Sequence, residues 1–247
     1  MPQTAVAVLR SEWIKTRSVR AVHGSLTAVF AVTVAISVLF SATVGQSEAN
    51  GLDAEPLFNA FYALNFGQIA AIAFGATALS SEFTGGALRV SLSAVPRRGL
   101  FYASKMAVVG VAALVVGEAT GLVSFLLGQL FMGESALGLG DPGVLRAVLG
   151  SGVYLALMAL FAAGLTALLR SAVAVMSILI PFMLIVSFVV GDVSAGAADF
   201  LPDRAGQTIL HETPTGSLGP WSGLAVTAAW TGAALTAGWR AVRTRDV

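Results

Sequence analysis

What most limits the fold of this chain is a series of apolar stretches, each about twenty residues long and nearly free of charge, the length needed to cross a bilayer as a helix. Only 11% of the 247 residues are charged, where a soluble domain carries roughly a quarter. Hydrophobic residues make up 56% and mean hydropathy is +0.84. A soluble enzyme of one or two domains is excluded, because too little polar surface would remain to meet water. An outer-membrane barrel is excluded as well, since its strands would be about ten residues long with alternating polarity. The absence of cysteine removes disulfides, Cys-type zinc sites and thiol catalysis.

The pattern predicts an all-α membrane protein of six spans, at 21–44, 57–80, 106–132, 147–169, 172–190 and 221–239. Its connecting segments alternate in charge. Arg10, Lys15, Arg17, Arg20, Arg89, Arg97, Arg98, Lys105, Arg170, Arg240, Arg243 and Arg245 fall on one side, and Arg146 and Arg204 on the other. The positive-inside rule then puts both termini in the cytoplasm of a multi-pass plasma-membrane protein. The acids run the other way. Glu48, Asp53, Glu55, Glu134, Asp141, Asp192, Asp199, Asp203 and Glu212 lie outside, with Glu12, Glu82 and Asp246 inside.

The first apolar run is longer than that of a signal peptide and follows about twenty other residues, so it reads as a span. In residues 1–20, Val6, Leu9 and Trp13 share a helical face, which predicts a helix along the cytoplasmic surface. Arg17 and Arg20 fall near that face and would snorkel toward the headgroups. The chain's only lysines, Lys15 and Lys105, follow Ile14 and Ser104, so no phosphate-cradling Gly-Lys core exists and the chain is not itself an ATPase. Its only histidines, His23 and His211, fall at opposite faces, and no catalytic dyad or metal helix is legible.

Between the second and third spans, Phe83, Ala87, Val90 and Ala94 recur at helical spacing, Arg89 lies off that stripe, and Pro96 ends the run before Arg97 and Arg98. This predicts a short amphipathic cytoplasmic helix. The stretch from Glu82 through Gly85, Arg89 and Pro96 to Arg97 and Arg98, followed by Lys105 before the third span, resembles the corresponding stretch of ABC-2 type permease subunits. The segment from Arg10 to Ser18 is similar to the first cytoplasmic segment of actinobacterial permeases. A Thr often follows the family's Gly, where this chain has Gly86 or Ala87. The resemblance covers essentially the whole chain.

The resemblance implies a coupling helix that docks on a separate ATPase. Glu82, Gly85 and Arg89 would transmit its closure, and Pro96, Arg97 and Arg98 would set the helix exit. It also implies two copies of the ATPase subunit, which alone binds ATP, and a second permease subunit in a homo- or heterodimer. The chain itself would need no cofactor. Short non-spanning helices would cap the segment between the fifth and sixth spans, at 191–220.

Within the spans, Glu118 is the one charged residue well inside, and it should face protein. It either lines the substrate route or is a protonated carboxyl bonded to a neighbouring helix. Gly110, Gly117, Gly121 and Gly128 form a ridge beside it that admits a close helix. Thr33, Ser37 and Ser41 recur every fourth residue, and Asn65 and Gln68 share a face with Gly75. Translocation-route lining and ordinary interhelical hydrogen bonding both fit these residues. Pro181 should bend the fifth span.

The expected function is the membrane subunit of an ATP-driven exporter whose cargo is hydrophobic or amphiphilic, such as a drug, a lipid or a membrane-active peptide. Membrane lipid is an expected partner and nucleic acid is not. The alternatives are a proton-coupled secondary transporter using Glu118, or a membrane scaffold for a cytoplasmic protein.

Overall fold

The computed structural model describes residues 5–45, 55–186, 189, 195–213 and 216–245. The expected acids Glu48, Asp53, Asp192 and Asp246, and residues 187–188 and 190 of the expected fifth span, lie outside them. The described residues form helices and connecting turns, with no strand among them. In chain order the α-helices are α1 (Ala5–Ser18), α2 (Arg20–Phe40), α3 (Pro56–Ala60), α4 (Leu64–Phe83), α5 (Ala87–Ala94) and α6 (Arg98–Gln129). They continue with α7 (Val144–Leu169), α8 (Ala172–Pro181), α9 (Ala195–Ala198), α10 (Pro202–Gln207) and α11 (Pro220–Thr244).

Among the described residues, three segments are long and apolar enough to cross a membrane: Arg20–Thr43, Arg98–Gln129 and Val144–Leu169. Ala172–Ile185 is apolar but shorter. Of the six expected spans, three thus have the length and composition of a crossing among the described residues. At the second expected span, α4 is 20 residues long but is diluted by Asn65 and Gln68 and by Ser80, Ser81 and Glu82 at its end. At the sixth, α11 has 25 residues but is rich in Gly, Thr and Trp.

Several boundaries also move. The second expected span is broken, because α3 ends at Ala60 and the chain passes through a turn with Phe61 N–H on the Phe58 carbonyl (3.0 Å) and Leu64 N–H on Phe61 (2.9 Å). Aromatic packing holds this turn: Phe61 stacks on Phe125 at 5.7 Å and Tyr62 on Phe40 at 4.6 Å. Two turns of helix precede the expected start of the third span, so Arg98 and Lys105 are both helical. At Pro181, where a bend is expected, the α-helix gives way to a π-turn at Phe182–Val186, since proline supplies no N–H for the regular ladder. The 191–220 segment holds short helices as expected, α9 and α10, and a 3₁₀ turn at Thr208–Leu210 whose Ile209 and Leu210 are buried.

Helix α7 is the centre of the molecule, with α4, α6 and α11 packed around it. Small residues make this possible. Gly117 and Gly121 of α6 lie against Gly152 and Ser151, Gly75 of α4 lies against the Ala159 carbonyl, and Gly164 lies against Ala234 of α11. Apolar side chains gain little from meeting each other rather than lipid, so helix association in a membrane rests on such close approach and on hydrogen bonds between helices. Ser37 Oγ donates to the Ser124 carbonyl at 3.0 Å, Thr231 Oγ1 to Leu157 at 3.2 Å, and Tyr102 OH to Leu235 at 3.1 Å.

A Cβ on Gly164 would stand 2.7 Å from the Ala234 carbonyl carbon, whereas one on Gly24 meets nothing within 4 Å. Gly164→Leu should therefore cost at least about 2 kcal/mol through overpacking, while Gly24→Leu should leave stability unchanged. Thermal unfolding of the detergent-purified variants measures both.

Candidate functional site

The first site is a buried knot of four charges built by three helices. Glu12 and Lys15 come from α1, Glu82 from the last turn of α4, and Lys105 from the second turn of α6. Lys105 Nζ contacts Glu82 Oε1 at 2.7 Å and Glu12 Oε2 at 3.0 Å. Lys15 Nζ contacts Glu12 Oε1 at 2.8 Å and Glu82 Oε1 at 3.4 Å. Ser91 of α5 closes the ring: its hydroxyl donates to Glu82 Oε2 at 2.9 Å and accepts from Lys15 Nζ at 2.9 Å. Glu12, Glu82 and Lys105 are each no more than 3% exposed, and Lys15 is the wetter member, its ammonium also over the Phe101 ring at 5.5 Å.

Two acids and two bases balance, which is what permits burial: a charge without a partner there costs several kcal/mol. Burial is the largest influence on the Glu82 carboxyl and pushes its pKa up. The charge and hydrogen bond of Lys105, with Lys15 and Ser91, outweigh it and hold the carboxyl below its ordinary value. A cavity of about 330 Å³ adjoins the knot, lined by Thr16, Val19, Val22, Ala78, Ala87 and Val90 among others.

From this anchor the chain turns outward. Gly85 and Gly86 take φ of +62° and +76°, a left-handed turn that other residues adopt only with strain, and a Cβ on either would meet open space. Beyond the turn, α5 is in a different phase from the one expected. Leu88 is buried and Ser91 faces the knot, while Val90 is 70% exposed and Ala94 is exposed. The Phe83, Ala87, Val90 and Ala94 stripe is therefore not one inward face. Its spacing runs across the two glycines, which end one helix and start another. Arg89, Pro96 and Arg97 are exposed. Arg98 is engaged elsewhere, its Nη1 donating to the carbonyls of Val242 (3.2 Å), Arg243 (3.3 Å) and Arg245 (2.9 Å), where the last helix leaves carbonyls unpaired.

Helix α1 has two unlike faces. Val8, Glu12 and Thr16 are buried against the bundle, and Val6, Leu9, Trp13 and Ile14 are exposed.

The second site lies at the other end of α4, about 25 Å from Glu82 at 1.5 Å per helical residue. Here Asn65 and Gln68 lie one helical turn apart, the Gln68 amide donating to the Asn65 carbonyl at 3.2 Å. The Tyr154 hydroxyl donates to Gln68 Oε1, and Gln207 Nε2 donates to Asn65 Oδ1 at 3.1 Å and to the Tyr154 oxygen at 3.4 Å. Nearby, His211 Nδ1 is 2.5 Å from Glu55 Oε2, stacks on Phe58 at 4.4 Å, and its carbonyl accepts from Arg146 at 2.5 Å. Asn65 and Gln68 open onto a cavity of about 530 Å³.

The remaining route candidates lie elsewhere. Thr33 is buried, with its hydroxyl on the Val29 carbonyl, and packs on Gly67; Ser37 is buried on Ser124. Neither lines the 530 Å³ cavity. Glu118 does not turn wholly inward. It is half-buried at the α6–α7 seam, where a Cβ on Gly152 would lie 2.6 Å from its Oε1, and around it Val111, Leu114, Val115 and Leu122 are exposed. Among the described residues no group of three His, Asp or Glu is placed to hold a metal ion.

Sequence reasoning singles out Glu82 but misses Glu12, Lys15, Lys105 and Ser91 as its partners, and Tyr154 and Gln207 as partners of Asn65 and Gln68. One clue was available: both lysines and two of the three acids on that side sit at helix ends facing one boundary.

Lys105→Met should cost about 3 kcal/mol or more, by leaving two buried carboxylates short of a base. The pH response should also invert. In the parent chain Glu82 adds stability above the ordinary carboxylate range and loses it as pH falls through its lowered pKa, so acid destabilises; in Lys105→Met, acid should stabilise by protonating the stranded carboxylates. Melting temperatures from about pH 7 down to about pH 3, across and below the ordinary carboxylate range, give both slopes. No protein-family model, curated protein or solved structure matches this chain.

Proposed function

We propose that this chain is the permease subunit of an ATP-binding-cassette exporter that moves a hydrophobic or amphiphilic cargo, and that α5 is the element on which a separate ATPase acts. The observation that carries the reading is the anchoring of α5. Through Ser91 and the Glu82 turn, this short helix is tied to the charge knot joining α1, α4 and α6. Its outer surface, with Arg89 and Val90, is left exposed. A push on that surface reaches three helices at once, two of which continue to the far end of the molecule. The chain's lack of a phosphate-cradling lysine fits a subunit driven from outside itself.

On this reading α1 lies along the cytoplasmic leaflet with Trp13 among the headgroups and Arg17 near anionic lipid. The permease works with a second permease subunit and two ATPase subunits. The residues of this chain do no covalent chemistry. They position a helix, exclude water from the knot, and change the relation of helices packed through glycine.

Two measurements test it. Purification from native membranes should retain an ATP-hydrolysing subunit, and the pair Arg89→Glu and Val90→Asp should reduce that retention at least about tenfold, a loss of roughly 1.4 kcal/mol or more, with melting unchanged. Retention unaffected by both substitutions would sink the reading. Because the chain has no cysteine, single-cysteine labelling reports orientation cleanly. Val90→Cys should react with an impermeant maleimide only after cells are opened, and Gly140→Cys in intact cells.

A further inference from the structure

The cavity of about 530 Å³ beside Asn65 has two unlike walls. One is aromatic and apolar: Phe58, Tyr62 and Phe66 from the start of the α3–α4 region, with Met183 and Leu184 from the π-turn. The other is polar and comes from the segment around α10, with Asp199, Asp203, Arg204 and Gln207. A volume in the range of small-molecule sites, with apolar walls and a few convergent polar groups, is the usual form of a ligand pocket.

The hydrogen-bond inventory sets the sign of that ligand. Gln207 spends its amide N–H groups on Asn65 and Tyr154, and Tyr154 spends its hydroxyl proton on Gln68, so Gln207 Oε1 is left as an acceptor. Asp199 accepts the Ser217 N–H and hydroxyl on Oδ2, both at 2.9 Å, which fixes the carboxylate and leaves Oδ1 without a hydrogen bond among the described residues. Asp203, 4% exposed, adds a second carboxylate. The polar wall thus holds two carboxylates and one guanidinium, Arg204, and Phe58, Tyr62 and Phe66 supply the kind of aromatic surface on which organic cations settle. We infer that this cavity binds an amphiphilic organic cation, with its apolar body on Phe58, Tyr62 and Phe66 and its positive centre toward Asp199 and Gln207.

This assigns a charge class to the cargo of the proposed exporter and rests on that reading only in treating the ligand as cargo. The binding itself needs no ATPase. The test uses the whole chain in phosphatidylcholine nanodiscs, with tetraphenylphosphonium as probe and tetraphenylborate as an anion of the same size and shape. Equilibrium dialysis against empty nanodiscs should show saturable phosphonium binding near one per chain and no saturable borate binding. Asp199→Asn and Tyr62→Leu should each weaken phosphonium binding about tenfold, the first by removing the charge beside the positive centre and the second by removing aromatic surface from under a phenyl group. Equal or better binding of borate, as Arg204 alone would favour, overturns the inference. So does unchanged phosphonium binding in both variants while they melt like the parent; if Asp199→Asn does not fold, Tyr62→Leu decides. Loss of ATPase retention in the α5 variants with phosphonium binding intact would separate this site from the coupling reading.

Discussion

The structure depends on the need of a buried charge for a partner. Lys105 enters the bundle within its helix at 2% exposure, where its ammonium would be costly alone, and the chain meets that cost with Glu12 and Glu82 from two other helices. This requirement draws α1 down onto α4 and α6, and with Ser91 it draws in α5. Hydrophobic burial would do this poorly at such a place, because the apolar face of α1 points outward. A charge network is directional where an apolar contact is not, so it sets which elements meet and in what register.

Away from the knot, the packing follows a different rule. At its closest crossings helix α7 offers Ser151, Gly152, Ala159 and Gly164, and α6 and α4 answer with Gly121, Gly117 and Gly75. Backbones then approach closely enough for hydroxyl-to-carbonyl bonds such as Thr231 to Leu157. Ser37 serves this purpose on the Ser124 carbonyl, while the Thr33 hydroxyl returns to Val29 of its own helix; both are buried in helix contacts. Asn65 and Gln68 are the exception because α3 breaks off before them and α10 arrives beside them, which leaves room for a cavity.

The helical class, the position of most helices, the short pieces around α10 and the disruption at Pro181 were legible from apolar runs and from proline chemistry. The glycine ridge on α6 was legible too, since small residues spaced along one face have few other uses. The partners of Glu82 were not, because Glu12 and Lys105 are far from it in sequence and nothing local says that three helix ends converge. The phase of α5 fails for a related reason: Gly85 and Gly86 interrupt the period being counted, and a periodicity argument assumes an unbroken helix. Apolar length alone suggests six crossings, and α4 and α11 fall short in composition because each exchanges some apolar residues for amides, hydroxyls or glycine used inside the bundle.

The arginines at the end of the last helix add a mechanical corollary. Arg98 binds the terminal carbonyls of α11, and Arg245, just past that helix, donates to the Leu168 carbonyl at the end of α7 at 2.6 Å. The three longest helices are thus stitched together at one pole, on the same side as the charge knot. At the opposite pole α10 and the Thr208–Leu210 turn lie against α7 and α11, with Gly150 on Ile209 and Gly223 on Thr208. With the three helices tied at one pole, any tilt between them would be levered from there, its displacement growing with distance along the helices.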